Sequence, residues 1–214
     1  MNEIIANRLV TINVDVQNDF CSEGSLAVDE GDMVIPPLNL LNAFTRRRNG
    51  LVIFTGDQHP VSTRHFDTWP VHCVAGTKGA QFRQGLDIHP EDIIIDKGMG
   101  QTDGYSGFEG ITKDGRMIED IIRPRSNESV AVVIGGLATD YCVLNTVLDA
   151  LAVAEQVRQE RLGSITVFAI CDAMRAVSLQ LTDGDMALQR MQEAGAIMVD
   201  SIDILQERAF ALAA

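Results

Sequence analysis

Short runs rich in valine and isoleucine recur along the chain, and longer stretches with apolar residues at helical spacing separate them. This pattern is typical of βαβ units, in which buried parallel strands form nearly continuous hydrophobic runs. Six strands are predicted, at residues 9–14, 51–55, 92–95, 130–134, 165–170 and 196–199. The pattern therefore predicts an α/β fold with one central, mainly parallel six-stranded sheet.

Four helices are predicted from their apolar faces and from the residues that bound them. They begin near Pro36, Arg116, Cys142 and Thr182, and they end before Gly50, before Pro124, at about Gln159 and at Gly195. Prolines are favoured in a first helical turn, and glycine readily adopts the left-handed conformation that ends a helix. Thr182, followed three residues later by Asp185, resembles a capping box.

Charge and composition narrow the possible functions. The 214 residues include 17 lysines and arginines against 30 aspartates and glutamates, a net charge of −13. This balance argues against a nucleic-acid binder, because phosphate backbones are held mainly by clustered cations. The single basic run, at 46–48, is expected at a helix end, where cations offset the helix dipole. The length favours one domain over 1–214.

The sequence shows no signal for export or for membrane insertion. Its N-terminus does not resemble a signal peptide, and no apolar stretch reaches the roughly 18 residues needed to span a bilayer. We therefore expect a cytoplasmic protein whose four cysteines are free thiols.

Chemically active side chains follow four consecutive predicted strands. Asp15 follows the first strand, Asp57 and His59 the second, and Lys97 the third, while the fourth leads through a glycine turn to Cys142. Ligands of open parallel sheets bind at the carboxyl ends of the strands. Any one of these residues could be an ordinary surface group, but their joint occurrence predicts an active site at this edge.

Cys142 has the setting of a nucleophile. It is predicted at the start of a long helix, where unpaired N–H groups favour a thiolate and can bind an oxyanion. A buried structural cysteine is the alternative interpretation. The remaining cysteines lack this setting and are expected to be buried thiols: Cys21, Cys73 and Cys171.

Three of the four histidines lie on one long predicted loop, 56–90, with Asp57 two residues before the first of them. These histidines are His59, His65 and His72. A loop of this length inside a compact domain is usually functional. Because carboxylate and imidazole groups bind Zn, Mn and Fe, the spacing predicts a metal site, with solvent-exposed loop histidines as the alternative.

If the histidines bind a metal, the base that activates Cys142 must be a carboxylate. Asp15, flanked by Val14 and Val16, is the best candidate. Desolvation would raise its pKa and a neighbouring Lys97 would lower it, and the sequence leaves open which effect dominates.

Seven motifs, taken together, resemble a known family. They are VDVQNDF (14–20), GSLAV (24–28), DQHP (57–60), WPVHCV (69–74), KG (97–98), YSGF (105–108) and GLATDYCV (136–143). The chain from 9 to 199 thereby resembles the nicotinamidases (pyrazinamidases) of the isochorismatase-like cysteine hydrolases. The stretch between Lys97 and Tyr105, and the loop from His59 to Trp69, differ in length from those of some members.

The resemblance implies a single-domain, three-layer α/β/α fold and an amidohydrolase. The expected reaction is hydrolysis of nicotinamide to nicotinate and ammonia through a cysteine thioester, a step of NAD salvage, with pyrazinamide as a further substrate. In this family, Asp15 corresponds to the acid/base, Lys97 to the residue that supports it, and Cys142 to the nucleophile.

The resemblance also implies a divalent metal ion, with zinc expected ahead of manganese or iron. Its ligands would be Asp57, His59 and His72, and His65 stands where a further ligand would come from. A cis peptide bond between Leu137 and Ala138 is implied as well, with an amide directed at the oxyanion. Four aromatic residues are expected around the substrate: Phe20, Trp69, Tyr105 and Tyr141.

Two alternatives stay open. One is a hydrolase acting on another small amide, a carbamoyl compound or isochorismate. The histidine cluster argues against it, and the net charge of −13 disfavours an anionic substrate. The other is a non-catalytic metal-binding or partner-binding protein, against which the joint presence of Asp15, Lys97 and Cys142 counts. The oligomeric state is left open.

Overall fold

A parallel sheet with helices on both faces forms the core of the protein, in a computed structural model that describes residues 4–101, 103–125 and 127–212. The strands are β1 (Ile5–Ala6), β2 (Arg8–Val14), β3 (Leu51–Asp57), β4 (Ile93–Lys97), β5 (Glu128–Leu137), β6 (Gly163–Arg175), β7 (Ile197–Val199) and β8 (Ala211–Leu212). The α-helices are α1 (Ile35–Arg47), α2 (Ile118–Ile122), α3 (Leu144–Glu160), α4 (Asp183–Ala194) and α5 (Ser201–Leu205).

Six strands pair in the order β4-β3-β2-β5-β6-β7, and every pairing among them is parallel. The short strands β1 and β8 form a separate parallel pair. The sheet grows from β2 through β3 to β4 in one direction and from β5 through β6 to β7 in the other. Such a reversal leaves a crevice outside the carboxyl ends of the two central strands. Residues that follow β2 and β5 therefore flank a ready-made binding site.

Alternate residues of the central strands face two separate hydrophobic cores. Leu9 packs on the face covered by α1 and α5. Val10 and Ile12 pack on the opposite face, beneath α2, α3 and α4. Because helices cover both faces, the strands are apolar on both sides, which explains their continuous hydrophobic runs. The predicted three-layer α/β/α fold with a six-stranded sheet is confirmed.

All six predicted strands are present, and the largest difference lies at the end of the fifth. That strand, β6, continues to Arg175 instead of ending at residue 170. The extension arises because β6 pairs with β5 in two stretches around an irregularity. Ile134 lies opposite Ala169, whereas Gly136 lies opposite Met174.

The four predicted helices are also present, with two local corrections. The long helix does not start at Cys142, because one π-helical turn (Thr139–Val143) precedes α3. The predicted capping box at Thr182 is wrong: the Thr182 side chain caps no described N–H, and Asp183 instead accepts a hydrogen bond from the backbone N–H of Gln180. No helix within the described ranges is both long and apolar enough to cross a membrane.

The basic run at 46–48 lies at the C-terminal end of α1, as predicted. The guanidinium of Arg46 lies 2.5 Å from a carboxylate oxygen of Asp92 and 2.9 Å from one of Asp87. These ion pairs join α1 to the segment that precedes β4.

All four cysteines are free thiols, as predicted.

A reciprocal pair of asparagines joins β2 to α1 inside the core. Asn13 Nδ2 donates to Asn42 Oδ1 at 2.9 Å, and Asn42 Nδ2 donates to Asn13 Oδ1 at 3.1 Å. Both side chains are buried. A buried polar group that loses its partner keeps the full desolvation penalty.

We expect Asn42→Ala to lower the free energy of unfolding by about 1–3 kcal/mol, because it leaves the Asn13 amide short of a partner. Urea denaturation measures this change. Leu40→Ala on the same helix is the control: Leu40 is 57% exposed, so its truncation should change stability by only about 0.5 kcal/mol. Equal effects of the two substitutions would contradict the role of the pair.

Candidate active site and metal centre

The sheet topology brings the four predicted strand-end residues together. Asp57 and Lys97 are the last residues of β3 and β4, and Asp15 directly follows β2. Cys142 lies in the π-helical turn that leads from β5 into α3. Because β4, β3, β2 and β5 are consecutive neighbours in the sheet, their carboxyl ends form one edge.

The ammonium group of Lys97 is the centre of this cluster. Its Nζ lies 2.9 Å from Asp15 Oδ2 and 2.6 Å from Asp57 Oδ1. It also donates to the carbonyl of Gly104 at 3.0 Å and lies 3.6 Å from Cys142 Sγ. Lys97 is 1% exposed, so its charge is balanced by the two carboxylates and not by water.

Burial and charge shift the pKa values of this cluster in different directions. Burial raises the pKa of Asp15, against the opposing effect of Lys97. Burial would also raise the pKa of Asp57, but the Lys97 charge keeps that pKa well below its usual value. Burial alone would lower the pKa of Lys97, yet Asp15 and Asp57 raise it well above its usual value.

The pKa of the Cys142 thiol is shifted in the direction opposite to the one expected from its position near a helix start. Burial raises its pKa well above the usual value, and this effect exceeds the opposing influence of Lys97. The raised pKa favours the protonated thiol, whereas the position near a helix start had favoured a thiolate. A nearby group must take the proton before Cys142 can attack, and Asp15 offers a carboxylate oxygen within 4.8 Å of the sulfur.

Asp15 is held by both its backbone and its side chain. Its φ angle is +48°, a left-handed conformation that short polar residues such as aspartate tolerate better than most. The Thr55 hydroxyl donates to Asp15 Oδ1 at 2.6 Å, while the Asp15 N–H donates to the Thr55 carbonyl at 3.1 Å. These bonds fix one carboxylate oxygen and leave Oδ2 facing Lys97.

The side-chain amide of Gln17 ties the strand ends together. Its Oε1 accepts from the backbone N–H of Asp57 at 2.7 Å, and its Nε2 donates to the carbonyls of Asp57 and Ala80 at 2.9 and 2.7 Å. Gln17 is fully buried. It thus satisfies main-chain groups that the sheet itself leaves unpaired.

The three clustered histidines pack ring against ring. The centroids of His59 and His65 are 4.5 Å apart with nearly parallel planes, and His72 lies 5.0 Å from His59 and 5.1 Å from His65. All three are buried. The alternative of solvent-exposed loop histidines is therefore wrong.

Each of these rings uses its Nδ1 atom to bind an oxygen. The partners are Gly98 O for His59 (2.9 Å), Asp103 Oδ1 for His65 (2.8 Å) and Pro70 O for His72 (2.7 Å). Carbonyl and carboxylate oxygens only accept hydrogen bonds, so each Nδ1 donates. In the neutral rings, the free lone pair is then on Nε2.

These residues fit a divalent metal ion. Candidate ligand nitrogens of the three histidines lie within 4.8 Å of one another. His59 Nε2 is buried without a hydrogen-bond partner among the described residues, and it lies 3.6 Å from Asp57 Oδ2. Burial lowers the pKa of His72 to about 4 and also lowers that of His65, which keeps these rings neutral. An imidazole nitrogen without a hydrogen-bond partner, next to a carboxylate oxygen, provides the kinds of ligand atom that such an ion prefers.

A pocket opens beside Cys142 and the histidine group, and its wall is largely aromatic. Trp69 Nε1 donates to the hydroxyl of Tyr105 at 3.0 Å, and Tyr141 packs edge-on against Trp69 with ring centroids 4.9 Å apart. The lining residues are Phe20, Leu26, Asp57, His65, Trp69, His72, Tyr105, Ala138, Tyr141, Cys142 and Val177. All four predicted aromatic residues therefore meet at this pocket.

The peptide bond between Leu137 and Ala138 is cis, as the resemblance implies. Ala138 lines the pocket next to Cys142. Leu137 is buried in the core on the α1 side of the sheet, so its side chain does not line the pocket.

Several site residues were not identified from the sequence. Thr55 lies opposite Val14 in the sheet, and the strand-end argument could have identified it. Val177 had no such signal, because Asp140 brings it to the pocket by accepting hydrogen bonds from the N–H groups of Val177 and Ser178, both at 2.9 Å. Asp103, which binds His65, lies on a connection whose course the sequence does not reveal.

Comparisons with known proteins point to one family. Residues 9–203 match the model of the isochorismatase domain. The nicotinamidase/pyrazinamidase of Mycobacterium tuberculosis is 35% identical to this chain over 181 residues, which cover 79% of this chain and 96% of the relative.

Solved structures agree with this match. The pyrazinamidase of Pyrococcus horikoshii in complex with zinc is 33% identical, has a TM-score of 0.74, and matches 90% of this chain and 99% of its own. PnC1 from L. infantum in complex with nicotinate is 25% identical, has a TM-score of 0.75, and matches 99% of this chain and 98% of its own.

We expect Lys97→Met to lower the free energy of unfolding of the metal-free protein by about 3–5 kcal/mol at neutral pH. The substitution leaves Asp15 and Asp57 buried without their cation. Their folded-state pKa values should then exceed the unfolded ones, so the loss should shrink as the pH falls toward about 4 and both groups become protonated. Urea denaturation in excess chelator, at several pH values, measures both effects.

Lys78→Met is the matched control, since Lys78 is exposed and should contribute only about 0.5 kcal/mol. Adding Asp15→Asn to Lys97→Met should recover part of the lost stability. If the Lys97→Met protein were as stable as the Lys78→Met protein, the Lys97 charge would not stabilise the buried carboxylates of Asp15 and Asp57.

Proposed function

The chain belongs to the isochorismatase domain family, and from this premise we propose that it hydrolyses nicotinamide to nicotinate and ammonia, with residues 1–214 acting as one amidohydrolase domain. The observation that carries the proposal is the pocket whose lining includes Cys142, Asp57 and two of the three clustered histidines, His65 and His72. A thiol with a carboxylate base suits attack on a carboxamide, and an aromatic wall suits a flat ring.

The uncharged ring of the substrate would bind between Phe20 and Trp69, with Tyr105 and Tyr141 completing the wall. Its carboxamide would then face Cys142, and its ring nitrogen would face the histidines. Pyrazinamide has the same ring size and a nitrogen at the matching position, so we infer that it is also a substrate. This orientation supplies the alignment that an amide hydrolysis requires.

In the first half of the proposed reaction, Asp15 takes the proton from the Cys142 thiol and the sulfur adds to the amide carbon. The backbone N–H groups of Ala138 and Cys142 would bind the oxyanion. Asp15 then returns the proton to the departing nitrogen. The C–N bond breaks, ammonia leaves, and the acyl group remains on Cys142 as a thioester.

In the second half, Asp15 accepts a proton from water, whose oxygen adds to the thioester carbon. The C–S bond breaks, and Asp15 returns the proton to the Cys142 sulfur. The product leaves as nicotinic acid, which gives its carboxyl proton to the solvent and becomes nicotinate. The raised pKa of Asp15 suits a group that accepts and returns a proton in each half. Lys97 would balance the negative charge of Asp15 and Asp57 throughout.

A divalent metal ion would be held by Asp57, His59 and His72, with His65 as a further ligand. We infer zinc in preference to manganese or iron, because imidazole-rich sites suit zinc and the P. horikoshii relative was solved with it. When bound, such an ion supplies Lewis-acid chemistry at the pocket, including an acceptor for the electron pair of a ring nitrogen.

We expect Cys142→Ala to reduce ammonia release from nicotinamide by at least about 10³-fold, because no other group in the pocket can form the thioester. The metal content should not change, since the sulfur is not a proposed ligand. A coupled ammonia assay and elemental analysis of the same sample measure both quantities.

Cys171→Ala is the control, because Cys171 lies outside the pocket and is half-buried. Its activity should match that of the unsubstituted protein. Substantial ammonia release by the Cys142→Ala protein would exclude this thiol as the nucleophile.

Benzamide should be hydrolysed with a kcat/KM at least about tenfold below that of nicotinamide, because it lacks the ring nitrogen that would face the histidine group. Pyrazinamide, which keeps that nitrogen, should be hydrolysed readily. Initial rates of ammonia release over a range of substrate concentrations test this order. Equal kcat/KM values for benzamide and nicotinamide would contradict the proposed orientation of the ring.

A further inference from the structure

The connection that follows β4 lies against the loop between β3 and β4 that carries the three clustered histidines (residues 58–92), which we call the histidine loop. Its described residues are 98–101 and 103–104, which we call the β4 connection. Five hydrogen bonds between described residues join it to that loop. They are Gly98 O with His59 Nδ1 at 2.9 Å, Gly100 O with Thr63 Oγ1 at 3.3 Å, Gln101 Oε1 with Arg64 N at 3.3 Å, Gln101 Nε2 with Ser62 O at 3.2 Å, and Asp103 Oδ1 with His65 Nδ1 at 2.8 Å. The connection thus contacts two of the three clustered histidines directly.

The three rings differ in what holds their Nδ1 atoms. Main-chain carbonyls hold His59 and His72, so their tautomers are set by the path of the backbone. A side chain holds His65, namely the carboxylate of Asp103. Among these three Nδ1 partners, Asp103 is therefore the one that a substitution can remove without moving the main chain.

His65 and Asp103 differ strongly in how far their side chains are exposed to solvent. The His65 side chain is 3% exposed, whereas that of Asp103 is 53% exposed. An exposed carboxylate thus binds a buried ring that stacks on His59 and packs edge-on against His72. A carboxylate in this position fixes a histidine as the Nδ1–H tautomer and makes its Nε2 a better electron-pair donor.

We propose that Asp103 is a positioning residue that keeps the inward Nε2 of His65 available as a metal ligand and so sets the affinity of the site for a divalent cation. The proposal rests on the proposed function, which places the ion at this histidine group. It assigns a task to a partly exposed residue outside all the motifs that identify the family.

Three variants separate the possible roles of Asp103. Asp103→Ala removes the acceptor, whereas Asp103→Asn removes the charge but keeps an amide oxygen that can accept from Nδ1. Asp67→Ala is the matched control, since Asp67 is an exposed carboxylate on the same loop as His65 and makes no hydrogen bond or ion pair with described residues. The high exposure of both aspartates means that each variant should fold.

The first measurement is the tautomer of His65 in the metal-free protein, from long-range ¹H–¹⁵N correlations of the histidine rings. We expect Nδ1–H in the unsubstituted protein, in Asp103→Asn and in Asp67→Ala. In Asp103→Ala, His65 should shift toward the Nε2–H form, while His59 and His72 stay unchanged. An unaltered His65 signal in Asp103→Ala would overturn the proposal.

The second measurement is Zn²⁺ affinity, from competition with a chromophoric chelator. Loss of such a supporting acceptor typically weakens metal binding by about 10–100-fold, and we expect that loss for Asp103→Ala. Asp103→Asn should lose less, and Asp67→Ala should bind Zn²⁺ as tightly as the unsubstituted protein. Equal affinity of Asp103→Ala and Asp67→Ala would overturn the proposal.

The outcomes also distinguish this inference from the proposed function. If the unsubstituted protein binds no Zn²⁺ and releases no ammonia from nicotinamide, the proposed function and the role of Asp103 both fail. If it binds Zn²⁺ and hydrolyses nicotinamide while Asp103→Ala keeps full affinity, the proposed function stands and the role of Asp103 alone is overturned.

Discussion

The ammonium group of Lys97 is buried where three neighbouring strands end, and the geometry of the site depends on how its charge is balanced. Removing an ion from water costs several kcal/mol, which only close and well-oriented partners offset. Asp15 and Asp57 supply those partners from β2 and β3 at 2.9 and 2.6 Å. Since one cation holds both carboxylates, the positions of the proposed base and of the proposed metal ligand are set together.

The same cation gives the two carboxylates different properties. Burial raises the pKa of Asp15, whereas Lys97 keeps that of Asp57 below its usual value. The lowered pKa favours an ionised Asp57, as its proposed role as a metal ligand requires, while the raised pKa lets Asp15 carry a proton. Two neighbouring acids with pKa values shifted apart are a recurrent basis for assigning separate roles in catalysis. Asp57 also connects the two halves of the site, because Oδ1 faces Lys97 and Oδ2 faces His59.

The sequence predicted the sheet and most of this site because both follow from local patterns in the sequence, namely hydrophobic runs and the residues that come directly after them. Each strand is a hydrophobic run, and parallel neighbours place whatever follows them at one edge, which located Asp15, Asp57, Lys97 and Cys142. It could not predict the raised pKa of the Cys142 thiol, because that shift comes from burial that only the packed fold creates. Val177 was missed for a related reason. It reaches the pocket through the irregular pairing of β6 and through hydrogen bonds to Asp140, a contact distant in sequence.

Lys97 and Gly98 show why some of these positions allow so little change. Gly98 has a φ of +66°, and a Cβ atom there would lie 2.7 Å from His59 Cε1 and 2.8 Å from Asp57 Oδ1. Such distances are too short for any side chain. Lys97 fixes the Asp57 carboxylate through its charge. The next residue, Gly98, has no side chain, and the backbone can therefore approach the same carboxylate and the His59 ring. At the other end of the β4 connection, Gly104 also has a positive φ, of +61°. Between these two glycines, the carboxylate of Asp103 binds His65 Nδ1.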